Sequence, residues 1–348
     1  MVLQPRYKRL VMMGLLAFLL VACLLSLALG PVSIAPSDTL RALFWRFADS
    51  AVPADQQLII EQIRLPRMLM GVVAGATLAL TGAAMQGLFR NPLADPGLIG
   101  ISSGAALGAA LVIVLGSLLA GPLGADWQPY LTVPGAFVGG LACTALVYRL
   151  GQSVQGTSVA SMLLAGIAIT AISGALVGLL SYLADDGMLR TLTFWNMGSL
   201  AAADYPRVGL LLLCCLPIWW RLPRLAPALN ALLLGESEAR HLGVEVERVK
   251  RELVLLTALG VGACVAACGL IGFVGLVVPH LVRLVLGPDH RWLLPASMLL
   301  GSALLLLSDV IARLLLAPAE LPLGIITALL GAPFFLSLLM RVRRQGGF

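Results

Sequence analysis

Apolar runs of about twenty residues recur along almost the whole chain, and they decide what it can fold into. A helix needs about 20 predominantly apolar residues to cross the hydrocarbon of a bilayer. No water is available there to pair with backbone N–H and C=O groups, so only helices or closed barrels can span it. Ten segments meet the helical requirement, roughly 10–30, 66–88, 97–119, 130–149, 159–183, 206–221, 252–270, 270–287, 293–314 and 323–340. Composition agrees, with 59% hydrophobic and only 11% charged residues, against about 25% charged in soluble domains. The chain is predicted to be an all-α polytopic membrane protein with ten transmembrane helices, forming a single transmembrane domain over 1–348. Its longest cytoplasmic loop is the segment 222–251.

Two boundaries need their own argument. Arg6, Lys8 and Arg9 precede the first run as they would in a secretory leader, but the apolar core of a leader is about 7–15 residues and ends at a small-residue cleavage site. This run is longer and has no such site, so it reads as a retained first span. The seventh and eighth runs merge through Cys268-Gly269-Leu270-Ile271-Gly272, where a turn must sit inside apolar sequence, and Pro279 is expected to interrupt the eighth.

Basic residues concentrate on the cytoplasmic side of membrane proteins. With the N-terminus inside, sixteen of the 23 Lys and Arg fall inside and seven outside: Arg41, Arg46, Arg64, Arg67, Arg190, Arg207 and Arg313. An even number of spans returns the C-terminus to the cytoplasm. The basic residues are spread between spans rather than gathered in a patch, which argues against a nucleic-acid surface. Within the spans, Gly100, Gly104 and Gly108 share one face, as do Gly71 and Gly75, and Gly135 and Gly139. Small residues at this spacing let helix backbones approach closely in lipid.

Chemistry is sparse. Only two lysines occur, Lys8 and Lys250, and neither follows a glycine, so the Gly-Lys pair of a phosphate-cradling loop is missing. Ion-driven carriers place ionisable groups near the midplane. Here Asp309, toward the outer end of the ninth span, is the main candidate, and Arg313 one turn further on is its expected partner. The histidines (His241, His280, His290) and six cysteines lack ligand partners at suitable spacing, so no metal site and no catalytic residue is predicted.

The segment 222–251 reads as short helix, glycine, short helix, glycine. Leu232, Leu233 and Leu234 supply an apolar side, and Glu236, Glu238 and Arg240 a polar one. Gly235 is expected to end the first helix and Ser237 to cap the second. Such a pair could lie on lipid or insert into a partner subunit.

Several ordered motifs resemble one family. Gln62-Ile63-Arg64-Leu65-Pro66-Arg67, the turn 85–97 containing Arg90-Asn91-Pro92 and Asp95-Pro96-Gly97, the stretch 234–243, Gly272 through Pro279-His280, and Glu320-Leu321-Pro322 are similar to permease subunits of the type II ATP-binding-cassette importers for cobalamin, haem and iron–siderophore complexes. The resemblance implies a ten-helix permease in the bacterial inner membrane, working with a second copy of itself, an ATPase dimer and a periplasmic substrate-binding protein. ATP and Mg would be bound by the ATPase and no cofactor by this chain. It implies ATPase coupling through Leu234, Gly235, Glu236, Ala239, Arg240, Leu242 and Gly243. Glu236 and Arg240 would make the polar contacts. Exposed Arg64, Arg67 and Arg313 would dock the binding protein. The fifth and tenth helices would line a pathway gated at Asn91 and Leu93 and at Ser158 and Ser161. A cobalamin-type permease carries a polar pair where Val159 and Ala160 stand, which weakens the carry-over at the second gate. The outer segment with Arg190, Phe194 and Trp195 looks most like that of haem permeases: the aromatics could stack on a flat macrocycle and the arginine attract a propionate. A ferric siderophore or cobalamin is the alternative cargo, and an ion-coupled secondary transporter the alternative class.

Overall fold

The structure, a computed structural model, describes residues 4–32, 34–43, 53–120, 128–154 and 156–344. Fifteen α-helices are present among them: α1 (Pro5–Ala28), α2 (Pro36–Leu43), α3 (Ala54–Leu58), α4 (Leu65–Leu88), α5 (Ile101–Ala120), α6 (Gln128–Leu150), α7 (Val159–Leu183), α8 (Asp186–Asn196), α9 (Tyr205–Arg221), α10 (Ala226–Leu232), α11 (Glu236–His241), α12 (Val246–Cys268), α13 (Val274–Leu286), α14 (His290–Leu314) and α15 (Leu323–Arg344). The one sheet described is a hairpin of β1 (Gln152–Ser153) and β2 (Gly156–Thr157). Arg46 lies outside the described residues.

Each of the ten expected apolar runs falls on one of these helices. Seven helical stretches are long and apolar enough to cross a membrane, while α5, α13 and α15 carry shorter apolar windows. The largest departure is α13. Its thirteen residues start at Val274, four later than expected, and Pro279 sits within the helix without ending it. The break before it is made by Gly269 (φ 71°) and Phe273 (φ 67°), left-handed conformations that stop α12.

Short polar side chains start several helices by accepting an otherwise unpaired backbone N–H, the ordinary N-cap contribution of about 0.5–2 kcal/mol. Ser158 caps α7, Asp185 caps α8 through Met188 N at 2.8 Å, Asp204 caps α9 through Arg207 N at 2.7 Å, and Asp289 caps α14 through Arg291 N at 3.0 Å. The outer segment after the fifth span forms the helix α8, begun by Asp185.

Helix α4 is the hub of the core, buried on nearly all sides by α9, α12, α13 and α14. Glycine sets how close these neighbours come. A Cβ on Gly75 would lie 2.5 Å from Gly301 O of α14, and one on Gly82 would lie 2.6 Å from Gly275 Cα of α13 and still closer to its carbonyl. Gly104 and Gly108 of α5 face Gly139 and Gly135 of α6 in the same manner. The glycine rows are therefore internal packing surfaces. By contrast, most side chains of α1 and α7 are uncovered.

The segment 197–199 joins the ends of two helices. Ser199 N donates to Cys268 O at 2.7 Å, while Gly324 N donates to Met197 O at 2.8 Å and Leu323 N to Gly198 O at 3.0 Å. The end of α12 and the start of α15 are thus satisfied by one stretch of backbone following α8.

Candidate functional site

Two ends of the molecule carry polar structure. At one end lie Arg64, Arg67, the C-terminus of α14 and helix α8. At the other lie α10, α11 and the hairpin that leads into α7.

The three arginines expected to be exposed are buried, with exposures of 4% for Arg64, 7% for Arg67 and 3% for Arg313. Arg64 Nη1 donates to Leu27 O at 2.7 Å and Ala28 O at 2.8 Å, and Nη2 to Val32 O, so it caps the end of α1. Arg67 and Arg313 share Asp309, itself 1% exposed, at 2.9 and 3.0 Å. Arg67 also holds Glu320, on the chain between α14 and α15, at 2.9 Å. Arg313 reaches Ser26 O of α1 and Leu29 O just past its end, both at 3.2 Å. The Asp309–Arg313 pair is as expected, and the other partners were not legible because they come from distant sequence. The C-terminal ends of α1 and α14 and the start of α4 come together, so Arg64, Arg67 and Arg313 meet carbonyl and carboxylate groups of the protein and not solvent. Asp309, with both oxygens engaged by arginines, is not placed as a free proton carrier.

On α8, Arg190 lies over the Phe194 ring, 5.9 Å from its centroid, and Phe194 is exposed. Trp195 points the other way and packs against the core. The structure brings Arg190 and Phe194 together and separates Trp195 from them.

At the opposite end, Asn91 Oδ1 accepts Leu93 N at 2.9 Å, folding a turn that leaves both residues exposed. Ser158 Oγ accepts Ser161 N at 3.2 Å and contacts Ser161 Oγ at 3.1 Å, and Ser158 N donates to Gly151 O, closing the hairpin. Further along, the 96–99 turn packs on α7, where a Cβ on Gly166 would strike Leu98 O.

The helix pair α10–α11 has the expected order but different details. Leu232 is buried, whereas Leu234 is 67% exposed, so the three leucines do not form one face. Gly235 (φ 127°) occupies the N-cap position of α11 in a conformation side chains rarely adopt, and Ser237 lies inside the helix. Gly243 (φ 82°) ends α11 with Val244 N donating to Ala239 O and Gly243 N to Arg240 O, a Schellman pattern. Ala239 is fully buried beneath, Leu242 is 65% exposed, and Arg240 is exposed 3.8 Å from Glu236. Glu236 is turned inward instead, its carboxylate 2.7 Å from Lys250 Nζ. On the other flank, Asn230 of α10 donates to Asp289 Oδ1 at 2.7 Å and accepts His290 N at 2.9 Å. Burial raises the Asp289 carboxyl, but the Asn230 amide, the Arg291 N–H and the Lys8 and Arg291 charges outweigh it and hold it below the usual carboxylate range.

Comparison with known proteins resolves what this arrangement belongs to. The sequence model of the FecCD transport family matches residues 18–341. The chain belongs to that family. It is 48% identical over 343 residues to the hemin transport system permease protein HmuU of Yersinia pestis, covering 98% of each chain. It is 42% identical over 345 residues to the vitamin B12 import system permease protein BtuC of Klebsiella pneumoniae, covering 99% of this chain and 97% of that one. A solved inward-facing structure of a metal-chelate type ABC transporter superposes with a TM-score of 0.82 at 35% identity, covering 95% of this chain and 98% of that one. This FecCD-family chain is thus a multi-pass membrane permease of a type II ABC importer, a class of subunit that lacks its own ATPase site.

Proposed function

We propose that two copies of this chain form the translocation pathway of an ATP-driven haem importer in the bacterial inner membrane, taking haem from a periplasmic binding protein. The carrying observation is the 48% identity, over 98% of both chains, to a permease named for hemin. The chain acts as one permease domain of ten membrane helices, α5, α13 and α15 included, with both termini on the cytoplasmic side alongside α10 and α11.

Support for a dimeric pathway comes from α7, where Leu164, Ile167, Ile172, Leu176 and Leu179 are exposed at near-helical spacing, and from the exposed Leu329, Leu330 and Leu336 of α15. Neither helix carries a charge in its apolar interior, which suits passage rather than capture. Asn91, Leu93, Ser158 and Ser161 gate its cytoplasmic end. Arg190 and Phe194 offer a carboxylate partner and a stacking face near its outer end.

The α10–α11 pair is the coupling unit. Exposed Leu234 and Leu242, with Arg240 beside them, form the surface that enters a cleft in an ATPase subunit. ATP and Mg sit on that partner, and its closure moves the pair as a rigid lever. Gly235→Ala places a Cβ at φ 127°, against the Glu238 carboxylate. Strain of about 1–3 kcal/mol at such a site should tilt α11 and weaken ATPase co-purification. An unchanged yield of the complex from the alanine variant would remove Gly235 from that role.

Reconstitution with the ATPase and binding protein tests the whole reading. ATP-dependent uptake of haem should exceed that of a ferric siderophore or cobalamin by at least about tenfold, a discrimination of about 1.4 kcal/mol. Preferential cobalamin uptake would favour the second reading, which the 42% identity to a vitamin B12 permease supports. Accumulation on an ion gradient without the ATPase would overturn the importer class.

A further inference from the structure

The geometry points to Lys250 as the residue that transmits movement of the α10–α11 pair to the gate at the start of α7. This inference rests on the coupling role proposed above and adds the route by which the lever acts.

Lys250 is the only lysine besides Lys8, and it is 2% exposed although it lies in the second turn of α12. A long cationic side chain ordinarily extends to water. Here the ammonium is turned inward, and three acceptors from three elements use its three N–H donors. It donates to Glu236 Oε2 of α11 at 2.7 Å, to Glu247 Oε1 of α12 at 3.1 Å, and to the backbone oxygen of Thr157 in the hairpin at 2.7 Å. Glu247 closes the ring, because its other oxygen accepts Thr157 N at 2.8 Å. Both backbone polar groups of Thr157 are therefore held by side chains of α12, and Thr157 immediately precedes Ser158, the N-cap of α7.

The hairpin faces α12 across a hollow of about 370 Å³ lined by Tyr148, Gln152, Ser153, Thr157, Glu247 and Arg251. Apolar side chains therefore do not fill the space between hairpin and helix, and the ionic ring bridges it. The opposite flank differs. There Asn230 fastens α10 to Asp289 and His290 at the start of α14, a helix packed into the core against α4. The pair is thus fastened to the core through Asn230 and the buried Leu229, Leu232 and Ala239, and to the gate through Lys250. A rotation of α11 about the Asn230 side would draw on Glu236, then on Lys250, then on Thr157. Ionic hydrogen bonds suit this work because they are directional and stronger than neutral ones, and burial limits their screening by salt.

The test uses the full chain reconstituted with its ATPase and binding protein in liposomes. Lys250→Met keeps the length of the side chain and removes its charge and donors. It should hydrolyse ATP within about twofold of the wild-type rate, while uptake per ATP falls by at least about tenfold, within the usual range of coupling effects. Lys250→Arg should restore most of that ratio, which a merely structural loss would not predict. Glu247→Gln serves as a second variant should the methionine form fail to assemble. It should lower the ratio as well, and combined with Lys250→Met it should add little, since both break one ring. A wild-type ratio of uptake to ATP hydrolysis in Lys250→Met, or in Glu247→Gln where the first does not assemble, would overturn the route. Wild-type protein that hydrolyses ATP but imports none of the three cargoes would instead overturn the haem-importer reading on which the route rests.

Discussion

Leucine at position 82 is expected to leave almost no folded protein in the membrane. Helices α4 and α13 cross at Gly82 and Gly275, where even a Cβ would overlap the Gly275 backbone. Overpacking costs about 1–3 kcal/mol when neighbouring side chains can shift. Here the obstructing atoms are main chain, so the two helices must separate along their length. Separation would expose the most enclosed helix of the bundle and forfeit the dispersion contacts that hold helices together in lipid, where burial from water supplies little drive. Gly14→Leu is the matched control, because nothing lies within 4 Å of its Cβ position. Size-exclusion profiles of fluorescent fusions would compare them. A wild-type, monodisperse peak for Gly82→Leu would show that α4 and α13 do not cross at this pair.

Asp309→Ala should be the most destabilising single change at the other end of the molecule. It strips two buried arginines of their shared carboxylate, leaving Arg313 with only backbone and Ser26 partners and Arg67 with Glu320 alone. Removing one member of a buried ion pair costs about 3–5 kcal/mol, because the remaining charge stays desolvated without compensation. Asp309→Asn keeps the shape and two acceptor lone pairs, so its loss should be smaller. Glu320→Gln should cost least, since the Glu320 side chain is about one-third exposed and water replaces part of what is lost. Thermal unfolding midpoints in one detergent should rank wild type, Glu320→Gln, Asp309→Asn, Asp309→Ala from high to low. Asp309→Ala melting with wild type would mean that the cluster is hydrated and not a structural tie.

Expectation and structure agree where the signal is local. The α7 helix matches its expected bounds, 159–183, because Ser158 caps the start of a long apolar run that stops at Ala184, just before the Asp185 cap of α8. The glycine rows were legible as packing faces because helical spacing alone puts them on one side of the helix. Local rules also located the short α10–α11 pair but misassigned its cap. Ser237 is a good capping residue in isolation, yet Gly235 takes the position because only glycine tolerates its backbone angles. Expectation departed most clearly from the structure in the exposure of charged residues. Arg64 and Arg67 carry no mark of burial in their own neighbourhoods, since Leu27 and Ala28 lie 37 and 36 residues from Arg64, and Asp309 and Glu320 lie 242 and 253 residues from Arg67. Arg313 has Asp309 one turn away, but its partners Leu29 and Ser26 lie 284 and 287 residues away. Two partners of Lys250 likewise come from other segments, although its rarity and its spacing from Glu247 are visible in the sequence.

Hydropathy and the spacing of small residues were enough to specify a membrane bundle and the helix faces that meet, because both act within a turn or two of one helix. Which charges would be buried, and that Lys250 would bind α11, α12 and the α7 hairpin at once, depended on three chain segments arriving at one point. Electrostatic partners are chosen by distance in space, and in a bundle of this kind that distance is set by how the helices cross.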